Sequence, residues 1–156
     1  KQGNPIMTVH TPHHWQFFRA GGFDQVQLST PADLAALSQL DQKLWAALAC
    51  PADSLEADQR MLQYIDYNKD GRIRAGEIIN AVNWTLSRLS DATVLFNDAP
   101  LPLSAFADNE EGVALNVTAK RLLHVLGKTN ADALDVSDTE DLNILFPANE
   151  FKASLV

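Results

Sequence analysis

The 156-residue chain is predicted to form a mainly α-helical single domain. Three observations predict it. Apolar residues recur at three- and four-residue steps over several stretches, helix-start signals precede those stretches, and extended signals are confined to short pieces. Hydrophobic residues make up 46% of the chain, which also has three Trp, so a core of useful size is available.

Taken in order, residues 1–9 read as a tail or extraneous remnant, since Met7 is a plausible native start and no apolar signal-peptide stretch is visible. The domain is then 10–156. His10, His13 and His14 sit around Pro12, which breaks any helix there. A transition metal needs ligands on a fixed scaffold, so these histidines are read as part of a flexible tail. Segments 14–20 and 23–28 flank Gly21-Gly22 and predict a short β-hairpin. Its aromatics, Trp15, Phe17 and Phe23, are expected to cover one side of the core, with a docking surface as the alternative; Trp84 carries the same two readings. Thr30 as cap and Pro31 at the first helical position start a helix. Leu34, Leu37, Leu40, Leu44, Trp45 and Leu48 carry its apolar stripe to Ala49, and Pro51 ends it. Cys50 then reads as a buried thiol at a helix end, with nothing nearby to activate it. As the chain's one cysteine it forms no internal disulfide, which favours a reducing, cytoplasmic compartment.

The most informative stretch follows. Residues 66–77 read Asp-Tyr-Asn-Lys-Asp-Gly-Arg-Ile-Arg-Ala-Gly-Glu. Oxygen-bearing side chains stand at loop positions 1, 3 and 5 (Asp66, Asn68, Asp70), Gly71 at 6, Ile73 at 8 and Glu77 at 12. Ca²⁺ takes six to eight oxygens at about 2.3–2.6 Å, and alternate residues of a tight loop aim at one point. Gly71 permits the sharp bend. This segment resembles the loop of the EF-hand family of calcium-binding proteins. The resemblance covers the loop and its flanking helices, a unit spanning 57–89. It implies Asp66, Asn68, Asp70, the backbone carbonyl of Arg72, and Glu77 as Ca²⁺ ligands, and Ile73 in a short extended piece that pairs with a neighbouring loop.

One position departs from that pattern. Arg74 stands at position 9, where an acceptor commonly steers a water ligand, and arginine has no acceptor. Lys69, Arg72 and Arg74 also cancel Asp66, Asp70 and Glu77, leaving the loop formally neutral. Both points predict binding weaker than that of a high-affinity buffer, with a dissociation constant on the order of 10⁻⁵ to 10⁻³ M.

The flanks fit. Met61, Leu62 and Ile65 fall at helical spacing over 57–65, with Asp58 as cap. Ile78, Ile79, Val82, Leu86 and Leu89 mark the apolar face of the outgoing helix. Further on, 97–103 reads as a loop or short extended piece, 117–126 as a helix ending at Gly127, and Ser137 with Glu140 as the capping box of a last helix through Leu145. No second loop has the full ligand set. Leu28 to Pro31, Leu103-Ser104 and Val136 to Glu140 share an apolar residue feeding a capped helix. They are read as ordinary strand-to-helix junctions, with degenerate metal-free hands as the alternative. If a partner hand exists, 26–28 is the first choice.

A formal charge of −8 argues against a nucleic-acid partner. No apolar run approaches the roughly 20 residues that span a bilayer, so no membrane role is expected. There is no phosphate-cradling glycine loop, no Cys/His zinc spacing and no Ser/His/Asp order, and no catalytic residue is assigned. The expectation is a soluble, acidic, non-enzymatic calcium-binding domain in which Ca²⁺ is structural. A sensor or protein-interaction module, or an accessory segment of a larger protein or enzyme, is the alternative.

Overall fold

The computed structural model describes residues 12–45, 49–54 and 57–140. They form two compact units, Lys1–Asn80 and Ala81–Val156, with the division falling inside one helix. The expectation of a mainly α protein is corrected: helices alternate with three two-stranded antiparallel sheets in a mixed α/β arrangement. The tail 1–9, His10, Leu48 and everything after Glu140, including the helix expected through Leu145, lie outside the described residues, as does the side chain of Cys50.

In the first unit, β1 (Gln16–Ala20) and β2 (Phe23–Gln27) form the expected hairpin, with Phe17 opposite Val26 and Ala20 opposite Phe23. Its aromatics do not fill a core as expected: Phe17, Phe18 and Phe23 are exposed. α1 (Pro31–Ala35) starts as predicted. Thr30 Oγ1 accepts the Asp33 N–H (3.2 Å) and Asp33 Oδ2 accepts the Thr30 N–H (2.9 Å), a reciprocal capping box. The helix does not run on to Ala49. It stops at Ala36, and two 3₁₀ turns follow, Leu37–Gln39 and Gln42–Leu44. Asp41 restarts the chain by accepting the Lys43 N–H (3.0 Å), a local bond that competes with helix continuation.

Beyond that point the segment read as a helix end is a strand. β3 (Ala49–Pro51) pairs antiparallel with β4 (Arg72–Arg74), placing Cys50 opposite Ile73. The partner of Ile73 is therefore not 26–28, which belongs to the hairpin. Between the strands lies α2 (Gln59–Ile65), where Asp58 accepts the Arg60 and Met61 N–H groups (2.8 and 3.3 Å), the cap the sequence indicated. Leu62 and Ile73 are buried. α3 (Ala75–Leu86) follows β4 directly.

The second unit repeats this order. An antiparallel bridge joins Leu89 to Phe106, on either side of β5 (Leu101–Pro102), which pairs with β6 (Ala133–Leu134) so that Leu101 faces Leu134. Between them runs α4 (Glu110–Val125), longer than the predicted 117–126 at its start. Asn109 accepts the Gly112 N–H (2.8 Å), and Glu110 and Glu111 place negative charge at the positive end of the helix dipole. Leu103, Ala119 and Leu123 form a buried cluster with Phe106, Ala131 and Leu134 packed on it. The final 3₁₀ turn, Val136–Thr139, is capped by Asp135 and Asp138 rather than by Ser137 and Glu140.

Candidate metal centre

The loop between α2 and β4 is folded by its own side chains. Asp66 Oδ1 accepts the Asp70 N–H (3.1 Å) and Asp66 Oδ2 the Gly71 N–H (2.8 Å). Asn68 Oδ1 also accepts from Asp70 N–H (3.1 Å), and Asp70 Oδ1 accepts from Arg72 N–H (3.0 Å). Two backbone positions bend it: Lys69 at φ 58° and Gly71 at φ 76°. Gly71 can hold that angle without the Cβ clash other residues meet. So Asp66, Asn68 and Asp70 are drawn around one turn, with Asp66 and Asp70 lining the open cleft beside it.

Arg72 lies in β4, opposite Pro51. Arg74 reaches back four residues, its Nη1 donating to Asp70 Oδ2 (2.6 Å), a bond to which Asn68 Nδ2 adds a second (3.2 Å). The guanidinium beside Asp70 is the main reason its carboxyl is held below the usual carboxylate range. Arg74 thus has a role that the sequence did not show, as counter-charge to a ligand candidate.

Glu77 is in the first turn of α3. Its Oε2 accepts the Arg74 N–H (2.9 Å), fixing the strand-to-helix corner. Its Oε1 is buried and has no hydrogen-bond partner. Among the described residues the only other such side-chain atom is Asn116 Oδ1, a neutral amide oxygen whose burial costs far less than that of a charged carboxylate.

Two other carboxylates do the same work with both oxygens engaged. Asp33 gives Oδ2 to the start of α1 and Oδ1 to His13 Nε2 (2.7 Å). Asp138 gives Oδ2 to the Asp135 N–H (2.9 Å) and Oδ1 to Lys128 Nζ (2.5 Å). The three are similarly buried, 7–8% exposed. His13 is consequently not part of a free tail: it is held between Asp33 and the edge of Trp15 (ring centroids 4.4 Å apart). Among the described residues, His14 belongs to no group of three that could hold a metal.

The donor set suits a hard cation: carboxylates, an amide oxygen and backbone carbonyls, with no soft ligand. Among the described residues no three His, Cys, Asp or Glu side chains are gathered closely enough to hold a metal as they stand. Asp66, Asp70 and Glu77 share one loop but do not converge on one point, and Arg74 occupies Asp70. Among the described residues no helix is long and apolar enough to cross a membrane. No family model, no curated protein and no solved structure was found to match the chain.

Proposed function

We propose that this chain binds one Ca²⁺ in the loop 66–77, and that the ion is structural, bracing the first unit rather than signalling. Asp66, Asn68, Asp70, the carbonyl of Arg72, and Glu77 would hold it. The observation that carries this reading is the buried, unpartnered Oε1 of Glu77. A buried carboxylate oxygen without a partner costs several kcal/mol in general, and a cation removes that cost. The chain meets the same need with a nitrogen donor at Asp33 and at Asp138. At Glu77 the described residues supply none, while three oxygen-bearing side chains lie on the loop that leads to it. The ion supplies the missing charge and ties Glu77 to that loop, while Arg74 leaves Asp70 as it enters. The net charge of −8 favours a cation and disfavours nucleic acid as a partner.

The test is thermal unfolding of the wild type and of Glu77→Gln, each in excess EDTA and in millimolar Ca²⁺, with calorimetric titration alongside. For a dissociation constant on the order of 10⁻⁵ M, millimolar Ca²⁺ is about a hundredfold excess and stabilises by about 2.7 kcal/mol, a shift of several degrees; for one near 10⁻³ M the Ca²⁺ is raised until the same excess is reached. The wild type should show that shift and Glu77→Gln should not. A wild type that neither shifts nor takes up heat on titration would mean the loop is a metal-free turn.

A further inference from the structure

The two units share a register that goes beyond a general likeness. In the first, Cys50 faces Ile73 and Pro51 faces Arg72; in the second, Leu101 faces Leu134 and Pro102 faces Ala133. Just past each first strand, a backbone N–H closes the second loop at the same place. Ala52 N–H donates to Gly71 O (2.9 Å), and Leu103 N–H donates to Asp132 O (2.8 Å). Four residues before each loop begins stands a buried leucine, Leu62 in one unit and Leu123 in the other. Four residues after each central strand residue stands a buried carboxylate, Glu77 or Asp138. Each gives one oxygen to the N–H three residues earlier, at 2.9 Å in both cases.

On this register the loop 127–138 lies over 66–77. Gly127, Thr129 and Ala131 stand where Asp66, Asn68 and Asp70 stand, so the carboxylates that would hold a metal are gone. Lys128 stands where Tyr67 stands, and its ammonium donates to Asp138 Oδ1, the counterpart of the unpartnered Glu77 Oε1. We infer that the second unit is a copy of the same site in which the cation is built into the chain: the Lys128 ammonium takes on Asp138 the place that a divalent ion takes on Glu77. The metal half of this comparison rests on the Ca²⁺ reading above; the lysine half rests on the Lys128–Asp138 pair alone. Such a loop needs no ion, admits none, and keeps its shape at any Ca²⁺ concentration.

The experiment exchanges the two solutions within the full-length chain. Lys128→Met should lower the thermal midpoint by several degrees and speed hydrogen exchange of the Leu103 amide at least tenfold, equally in EDTA and in Ca²⁺. Lys128→Arg, which keeps the charge, should recover most of both. Tyr67→Lys places an ammonium opposite Glu77. It should weaken Ca²⁺ binding at least a hundredfold while raising the midpoint in EDTA. Lys128→Met with no effect on Leu103 exchange, or a wild type that takes up two Ca²⁺, would overturn the inference. If the wild type takes up no Ca²⁺ at all, the functional reading fails, and the Lys128 variants alone decide whether the tethered cation is real.

Discussion

The loops 66–77 and 127–138 differ in what stands beside one buried carboxylate oxygen. Each follows a helix, leads through a short paired strand, and ends on a carboxylate that caps the next turn. Capping uses one oxygen and leaves the other in a place water reaches poorly. In 127–138 a lysine ten residues earlier covers it. In 66–77 no described residue covers it, and the loop instead carries oxygen-bearing side chains. A tethered ammonium is present at a fixed effective concentration. An ion is present only when the solution provides it, so its contribution follows mass action. On the proposed Ca²⁺ reading, one scaffold is made constitutive in one loop and conditional in the other by a few loop residues, with the strand register kept.

The largest effect expected from breaking this comparison comes from its matched leucines. Leu62 and Leu123 are 4% and 2% exposed. Truncating either to Ala should cost about 2–5 kcal/mol, from lost burial and the cavity left behind. The response to Ca²⁺ should separate them. On the proposed reading, in which the ion binds only the folded first unit, millimolar Ca²⁺ should recover much of the loss in Leu62→Ala. It should recover none in Leu123→Ala when exchange is followed at amides of the second unit. Equal recovery in both would show that the two loops do not differ in their need for metal.

How far these features were legible in the sequence follows from the range of the interactions. The Gly21-Gly22 turn, the Thr30 and Asp58 caps and the bend at Gly71 were readable because each involves groups a few residues apart. The partner of Ile73 was not. Its strand, Ala49–Pro51, follows a run of leucines whose spacing is helical, and only pairing across more than twenty residues makes it extended. The helix stops at Ala36, and Asp41 caps a separate 3₁₀ turn through a single bond, a break that spacing does not reveal. Val136 and Glu140 repeat the four-residue step of Ile73 and Glu77 in sequence, but the paired strand places Leu134 and Asp138, two residues earlier, at those positions. The capping pair is Asp135 and Asp138. The Lys128–Asp138 contact has no short-range signature at all: a spacing of ten becomes a contact only once β6 is paired. Arg74 was visible as a missing acceptor, but not as a partner of Asp70.

That last contact gives a sharper and smaller test within the first loop. Arg74 and Asp70 are both partly exposed, so as an ion pair they contribute little to folding. Their effect should fall on Ca²⁺ affinity instead, because the ion has to displace the guanidinium from Asp70 and then tolerate its charge nearby. Arg74→Gln should tighten Ca²⁺ binding about threefold to tenfold at low salt, and less at 1 M salt, where the Debye length is about 3 Å. Titration calorimetry at two ionic strengths reads both numbers. Weaker binding in Arg74→Gln would mean that Arg74 organises the loop rather than competing for it.

The smallest expected effect concerns the carboxylate that needs no cation from solution. Asp33 is held at about 2, first by the Ser29 N–H, then by the Thr30 hydroxyl, by His13 and by the Thr30 N–H, against the opposing cost of burial. Its ordinary value is 3.8. A folded-state value below the unfolded one means that the unfolded chain binds protons more readily. The stabilisation is therefore complete above about pH 4 and is lost as pH falls from there through about 2. Nothing in this window depends on Ca²⁺, since Asp33 and His13 lie outside the loop. Asp58, Asp70, Asp91, Asp135 and Asp138 are also depressed by their donors, so the acid limb of the whole protein is shared. Asp33→Asn should subtract only its part: a shallower loss of stability between pH 4 and 2, identical in EDTA and in Ca²⁺. An NMR titration of the Asp33 carboxyl isolates that contribution, and a midpoint near 3.8 in the folded protein would show that the bonds from Ser29, Thr30 and His13 do not hold the group as described.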